Sequence, residues 1–374
     1  MDASATQDRL HYMDHLRALA MLAGVFFHAA LAYSPLMQPM WPMADRETSA
    51  AVDAVVWGLH LVRMPLFFLV AGFFAAWILA RRGGVALARQ RTRRILIPFL
   101  LAWPLVLWSL AASTGWAAAN VQHPSPLLLM IREWMSQSDP PRLPPGTAHL
   151  WFLYYLLLFA VLHWVFHTLE AGRVARRLLQ RHPAWVLLGL PLMLLPALTL
   201  VSAPHPAPEG LVPQFWALVF YGAFFALGTL VQGQPDWIGR ARPLGKWLVP
   251  AIVLAYLAFL WRLAVDPPGI GQSTAPWPTA ALEACLSVWL TVGCVLAGHR
   301  LLNRANPVMR YLAQSAYWTY LLHLPLLFAI QYLLMDLELA WPLKFALASA
   351  GTLALCLLSY QLLVRHTPLR RFVG

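Results

Sequence analysis

The chain has 374 residues, of which 60% are hydrophobic and 11% are charged, and this balance excludes an ordinary water-soluble globular protein of this size. The formal net charge of +12 comes mainly from arginines in short clusters between apolar segments, which marks membrane topology and gives no sign of a nucleic-acid partner. We therefore expect one all-α polytopic domain over residues 1–374, a multi-pass protein in a lipid bilayer.

Ten apolar segments are long enough to cross a bilayer as helices of roughly 20 residues. They are residues 13–34, 53–80, 95–114, 149–169, 184–203, 213–232, 245–264, 279–298, 311–334 and 341–364. The breaks at 81–94, 173–181, 240–246, 300–310 and after 364 are rich in arginine, whereas the alternate breaks are not. This alternation predicts that both termini are cytoplasmic. The longest outer break contains residues 126–135, which we expect to lie along the outer surface of the bilayer.

The first segment carries a line of polar and small residues. Asp14, Arg17, Met21, Gly24 and His28 follow a 3-4-3-4 spacing, which places them on one face of a helix. Arg17 and His28 are separated by roughly 16 Å along such a helix. Buried ionisable side chains of this kind indicate a functional site. In the alternative reading, Asp14 and Arg17 mark the membrane interface and His28 is a hydrogen-bonded core histidine.

Two later segments also place polar side chains at membrane depth. His323 in the ninth segment lies at a depth comparable with that of His28, so the two histidines either face one cavity or make separate polar contacts. Arg63 in the second segment is too deep for an interface anchor. It is expected either to pair with a carboxylate such as Glu283 or to hold an anionic substrate group.

Arg91 and Arg94 stand where the third segment enters the membrane from the cytoplasm. Guanidinium groups in this place suit phosphate binding, although any cytoplasmic break can be basic. A metal site is not expected, because His163 and His167 share a helix face but have no third ligand nearby in the sequence.

Five short motifs, in this order, resemble those of the acyltransferase family three of integral membrane transferases. YMDHLRALAMLAGVFFH holds Arg17, ten residues and His28, like the family's first helix, and RMPLFFLVAGFF resembles its second-helix element. RTRRILIP resembles the family's Arg-x-x-Arg element, with Arg91 and Arg94 as the matching pair. AHLWFLYYL and SAYWTYLLHLP resemble later elements and put four more residues in matching places: His149, Trp151, Tyr320 and His323.

The resemblance covers essentially the whole chain and implies transfer of a short acyl group from cytoplasmic acyl-CoA to a carbohydrate hydroxyl on the outer side. Within the family, the strings RMPLFF, AHLWFL and GHRLLN are most similar to the branch of periplasmic glucan succinyltransferases. That branch implies a multi-pass protein of the bacterial inner membrane, with succinyl-CoA or acetyl-CoA as co-substrate, a periplasmic or cell-surface glycan as acceptor, and no tightly bound cofactor.

The implied activity gives these residues roles. Imidazole, with an unperturbed pKa of about 6.5, is well matched to take a proton from a sugar hydroxyl, so His28 is interpreted as the general base. Asp14 and Glu283 are interpreted as structural polar residues. The residues interpreted as binding the donor's phosphates are Arg17, Arg91 and Arg94. The residues interpreted as lining the cavity, for the acceptor or the oxyanion, are Arg63, His149, Trp151, Tyr320 and His323.

Three alternatives stay open on the sequence. In the first, His28 carries the acyl group covalently between donor and acceptor. In the second, the polar line is a path through a transporter or flippase of a saccharide or lipid-linked saccharide, although the chain has no evident internal repeat of the kind common in secondary transporters. In the third, the protein is purely structural, which leaves the buried charge of Arg63 unexplained. Neither the oligomeric state nor the particular acyl group follows from the sequence.

Overall fold

The computed structural model describes residues 11–139, 146–169, 182–234, 236–267 and 273–373. Over this part of the chain 79% of the residues are helical and no strand is formed, which confirms the predicted all-α class. The arginine-rich break at 173–181 lies outside the described residues.

The α-helices of the described residues are numbered in chain order. They are α1 (His11–Ala30), α2 (Ala50–Arg91), α3 (Ile97–Asn120), α4 (Pro126–Ser136), α5 (Trp151–Thr168), α6 (Ala184–Leu198), α7 (Phe215–Gln232), α8 (Trp237–Ala241), α9 (Gly245–Val265), α10 (Trp277–Leu301), α11 (Pro307–Leu334), α12 (Trp341–Ser359) and α13 (Arg370–Val373). Short 3₁₀ or π turns adjoin several of them, at 31–33, 92–96, 148–150, 242–244 and 360–364.

Each of the ten predicted segments contains a helix. By length and hydropathy, eight helical stretches within the described ranges are candidate membrane spans. One of these, Ala50–Asn120, is 71 residues long and holds both the second and the third predicted segments. The fifth predicted segment forms the shorter apolar helix α6. Which end of the bundle faces the cytoplasm stays a prediction.

Two helical stretches make up α2, joined at Gly83, close to the predicted end of the second segment at residue 80. Gly83 has a φ of 76°, a conformation that costs glycine little because it has no Cβ. The Arg, Ala, Leu and Gln residues that follow are good helix formers and form the second stretch, which ends at Arg91. The part of the arginine cluster up to Arg91 is therefore helical, where a loop was expected.

The expected surface segment is the helix α4. Ser125 caps its start by accepting a hydrogen bond from the Leu128 amide at 3.1 Å, as N-cap serines commonly do. Leu128 is buried, whereas Leu129 and Met135 on other faces are exposed. Arg132 donates from Nη2 to the Val121 carbonyl at 2.9 Å. The helix thus lies against the end of α3 with an apolar face uncovered, in keeping with a position along the bilayer surface.

The backbones of helices α2 and α7 are in direct contact at two glycines. A Cβ added at Gly228 of α7 would lie 1.9 Å from the Leu69 carbonyl oxygen, and one added at Gly72 of α2 would lie 2.0 Å from that of Phe225. No side chain fits at either position, because real Cβ atoms do not approach within 3.0 Å of another heavy atom. This contact fixes α2, which carries His60 and Arg63, against α7.

Helix α1 lies at the centre of the bundle, against α2, α10, α11 and α12. Most of its side chains are buried, Met13 and Val25 almost completely. Because α1 carries both Arg17 and His28, its position sets the line between the two ends of the candidate site.

Candidate functional site

One end of the bundle holds a basic cavity of about 880 Å³ beside the start of α1. Arginines from α1, the turn before α3, α11 and the C-terminal segment line it: Arg17, Arg94, Arg310, Arg365, Arg370 and Arg371. Three histidines and one carboxylate also line it: His11, His15, His366 and Asp14. This excess of guanidinium groups suits a ligand with several phosphates.

The three arginines predicted to bind the donor do not all lie in this cavity. Arg17 and Arg94 line it. Arg17 is held by an ion pair to Asp14 at 3.2 Å and by a hydrogen bond from Nη2 to the Ala313 carbonyl at 3.1 Å. Arg91 is not among the lining residues, and its Nη2 donates to the Ala71 carbonyl at 3.3 Å within its own helix region. Arg91 therefore forms a hydrogen bond within α2 and lies outside the cavity, although it was expected to bind the donor.

The sequence analysis did not single out four of the lining arginines: Arg310, Arg365, Arg370 and Arg371. They lie in breaks that were interpreted only as topology signals. These arginines meet because α11 begins beside α1 and because the C-terminal segment folds back under the bundle. Neither contact can be predicted from a local sequence pattern.

Three imidazoles meet further along α1. The ring of His28 lies 5.4 Å from that of His323, and the ring of His323 lies 5.2 Å from that of His149, measured between centroids. The Trp41 ring stacks against His28 at 6.0 Å. The geometry therefore places His28 and His323 side by side, and a shared site for the two histidines stays a prediction.

Tyr320 holds two of these histidines in place. Its carbonyl oxygen accepts from His323 Nδ1 at 2.7 Å and from His149 Nε2 at 3.1 Å. Its hydroxyl donates to the His149 carbonyl at 2.5 Å. A carbonyl only accepts, so each ring, when neutral, carries its proton on the nitrogen that faces Tyr320 and has a lone pair on the other. His28 is less constrained, because its Nδ1 is buried with no hydrogen-bond partner among the described residues.

Arg63 lies beside this group without a counter-charge. Its guanidinium stacks over the Phe27 ring at 4.1 Å, and it forms no ion pair with the described part of the chain. Its Nε is buried and has no hydrogen-bond partner there. Gly24 of α1 lies against this guanidinium, since a Cβ at that position would be in ordinary van der Waals contact with Arg63 Nη1 at 3.5 Å. A buried cation of this kind is costly unless a ligand pairs with it.

Glu283 is not the partner of Arg63. Its Oε1 contacts His205 Nδ1 at 2.6 Å and accepts from the His205 amide at 2.9 Å. Of the two roles expected for Arg63, pairing with Glu283 is thus not formed, and the role of holding an anionic substrate group stays a prediction. His60 completes a second cluster, with its ring 4.4 Å from that of His205.

Trp151 lies in the aromatic core beside these groups. Its ring is 5.0 Å from Tyr221 and 6.1 Å from Phe68, and only 5% of its surface is exposed. It supports the segment that carries His149, two residues earlier in the chain, and makes no ring contact with His28 or His323.

Comparison with known proteins gives the family. The family model described as an acyltransferase domain, acyltransferase family three, matches residues 10–361. The chain belongs to this family. Relatives named Glucans biosynthesis protein C from Salmonella paratyphi B, Salmonella dublin and Salmonella enteritidis are each 23% identical over 334 residues, which is 87% of this chain and 84% of theirs. No solved structure matches the chain significantly. The resemblance inferred from the motifs is confirmed, and the protein is a membrane acyltransferase.

Proposed function

We propose that the protein transfers a short acyl group, succinyl or acetyl, from acyl-CoA to a carbohydrate hydroxyl, with the donor entering from the cytoplasm. The arrangement along α1 supports this most strongly. At one end of α1, Arg17 lines the arginine-rich cavity. At the other end, His28 lies in the group of three imidazoles.

The cavity fits the donor by size and charge. Coenzyme A carries several phosphates on a long pantetheine arm, and guanidinium groups bind phosphate oxygens through paired, charge-assisted hydrogen bonds. Six arginines line a space of about 880 Å³. The arm then follows α1 over the roughly 16 Å between Arg17 and His28, which brings the thioester to the imidazole group. We place the phosphates against Arg17 and Arg94.

His28 acts as the general base in this proposal. It takes the proton of the acceptor's hydroxyl while the hydroxyl oxygen forms a bond to the thioester carbon. The carbon–sulfur bond then breaks, and the leaving thiolate of coenzyme A takes the proton back from His28. His323 and His149, oriented by Tyr320, present lone pairs to hold the acceptor or the protonated His28. Arg63 supplies the positive charge that stabilises the developing oxyanion or binds a succinyl carboxylate.

The acceptor we propose is a periplasmic glucan. Its support is the name of the relatives, Glucans biosynthesis protein C, together with the predicted topology, which puts the imidazole end of α1 toward the outer side of the inner membrane.

Reconstituted vesicles test this function. Purified protein is placed in liposomes with succinyl-CoA or acetyl-CoA outside and glucan inside, and thioester loss and glucan acylation are both measured. Loss of the thioester that is coupled to acylation of the glucan supports the transferase. Movement of saccharide across the bilayer without donor, and without thioester loss, supports the transporter instead. A quenched sample that holds acyl groups on His28 before glucan is added supports the covalent route.

A further inference from the structure

Three potential metal ligands converge from distant parts of the chain. His60 lies on α2, His205 lies in the segment between α6 and α7, and Glu283 lies on α10. One ligand atom from each can be chosen so that all three lie within 4.8 Å of one another. No sequence motif joins them, since they are separated by well over 70 residues.

The cluster is partly buried at His60, fully buried at His205 and Glu283, and incompletely bonded. His205 is 1% exposed and Glu283 is 0% exposed. Two nitrogens, His60 Nε2 and His205 Nε2, and the carboxylate oxygen Glu283 Oε2 are buried without a hydrogen-bond partner among the described residues. Buried polar atoms in native proteins nearly always have a partner, so the unpartnered His60 Nε2 and Glu283 Oε2, beside the contact between His205 Nδ1 and Glu283 Oε1, point to a bound group. The imidazole of His205 would bind that group through Nδ1, and its Nε2 takes no part.

The chemistry of the set is that of a transition-metal site. Two imidazoles and one carboxylate, with a fourth position open, form a common set of protein ligands for catalytic zinc. Metal–ligand bonds of about 2.0 Å in a tetrahedron separate the ligand atoms by roughly 3.3 Å. The three ligand atoms now lie within 4.8 Å of one another. Small side-chain rotations would shorten the longer separations to about 3.3 Å and lengthen the 2.6 Å contact between His205 and Glu283.

We propose that His60, His205 and Glu283 bind one divalent transition-metal ion of the Zn²⁺ type. Binding replaces the proton shared between His205 Nδ1 and Glu283 Oε1, and that proton is released to solvent. The fourth position takes an oxygen ligand. Glu283 supplies one negative charge, and Arg63, one turn from His60 on α2, adds a positive one. An anionic oxygen ligand such as hydroxide or carboxylate would therefore offset part of the positive charge of the ion and of Arg63.

Metal content tests the site without reference to acyl transfer. The full chain, with any histidine tag removed, is purified without chelator and analysed by inductively coupled plasma mass spectrometry. We expect about one zinc ion per chain in the wild type and nearly none in Glu283→Gln or His60→Gln. The variant with both His163→Gln and His167→Gln serves as the matched control, since that pair lies on one face of α5 with no third ligand near it in the sequence. We expect this variant to bind as much zinc as the wild type.

Cobalt titration gives a second readout. Chelator-treated protein titrated with Co²⁺ develops visible absorption bands of a tetrahedral site, and these bands are lost in Glu283→Gln. Wild-type protein that is isolated without metal and shows neither cobalt bands nor thermal stabilisation by Zn²⁺ overturns the proposal. Equal metal content in wild type and Glu283→Gln also overturns it. Because no donor or acceptor is present, either result leaves the proposed acyl transfer untouched.

Discussion

The rings of His28 and His323, from the first and the eleventh helices, lie 5.4 Å apart between centroids. Neither ring is held by the other, since His323 donates to the Tyr320 carbonyl and His28 Nδ1 is without a partner in the described structure. Two imidazoles at this separation lie close enough for one polar atom of a ligand to reach both rings. The guanidinium of Arg63, which forms no ion pair within the described residues, also lies next to α1 and extends the same polar group.

Arg63 is predicted to distinguish a succinyl donor from an acetyl donor. If the guanidinium binds the terminal carboxylate, Arg63→Gln loses a charge-assisted hydrogen bond with succinyl-CoA that acetyl-CoA never makes. A loss of roughly 1.5–3 kcal/mol corresponds to about a 10- to 150-fold larger fall in kcat/KM for the succinyl donor. Steady-state kinetics with both donors measure this, with Arg63→Lys as the control that keeps the charge. Equal losses with both donors would show that Arg63 serves the shared oxyanion instead.

The basic cavity is predicted to set donor affinity and not the chemical step. Arg370→Gln combined with Arg371→Gln removes two of the lining guanidinium groups, so the Kd for acyl-CoA rises by roughly tenfold or more. Desulfo-coenzyme A, a non-reactive analogue, gives the Kd by calorimetry at several salt concentrations. Arg81→Gln, on the kinked part of α2 and outside the cavity, should leave the Kd unchanged. An unchanged Kd in the double variant removes the cavity from the donor site.

The contact between α2 and α7 is predicted to tolerate no side chain. Gly228→Ala places a methyl group within 1.9 Å of the Leu69 carbonyl, so the helices must separate and the melting temperature in detergent falls by several degrees or the protein fails to accumulate. Gly189→Ala on α6 is the matched control, because nothing lies within 4 Å of a Cβ there and alanine favours the helix. Equal melting temperatures in the two variants contradict this packing.

The buried ion pair between Lys344 and Asp45, 2.7 Å long, is predicted to matter for stability and not for activity. Lys344→Met leaves Asp45 charged and buried, at a cost of about 3–5 kcal/mol. Adding Asp45→Asn to that variant should recover most of the loss. Asp266→Asn, at the half-exposed pair with Arg262, should cost at most about 1 kcal/mol. Denaturation in detergent micelles measures all four proteins, and a Lys344→Met variant as stable as Asp266→Asn would be the contrary result.

The sequence predicts the helices well because ten long apolar segments are a strong signal in lipid. It also places Arg17, Gly24 and His28 on one line, since helical spacing alone decides which face a residue occupies. It cannot place Arg370, His205 or Glu283, because their positions depend on contacts between segments far apart in the chain. Arg91 does not line the cavity, because the break at Gly83 brings its side chain to the Ala71 carbonyl of the same element, and the apolar pattern does not reveal that break.

The most direct test compares donor binding and donor turnover in wild type and His28→Ala. We expect an unchanged Kd for desulfo-coenzyme A, because the arginine cavity is intact, and a fall in acyl transfer of roughly 10²- to 10⁴-fold, the usual contribution of a general base. His163→Ala, on α5, should behave as wild type. If the His28→Ala protein acylates glucan at the wild-type rate, the imidazole at the end of α1 takes no part in the reaction and His28 is not the general base.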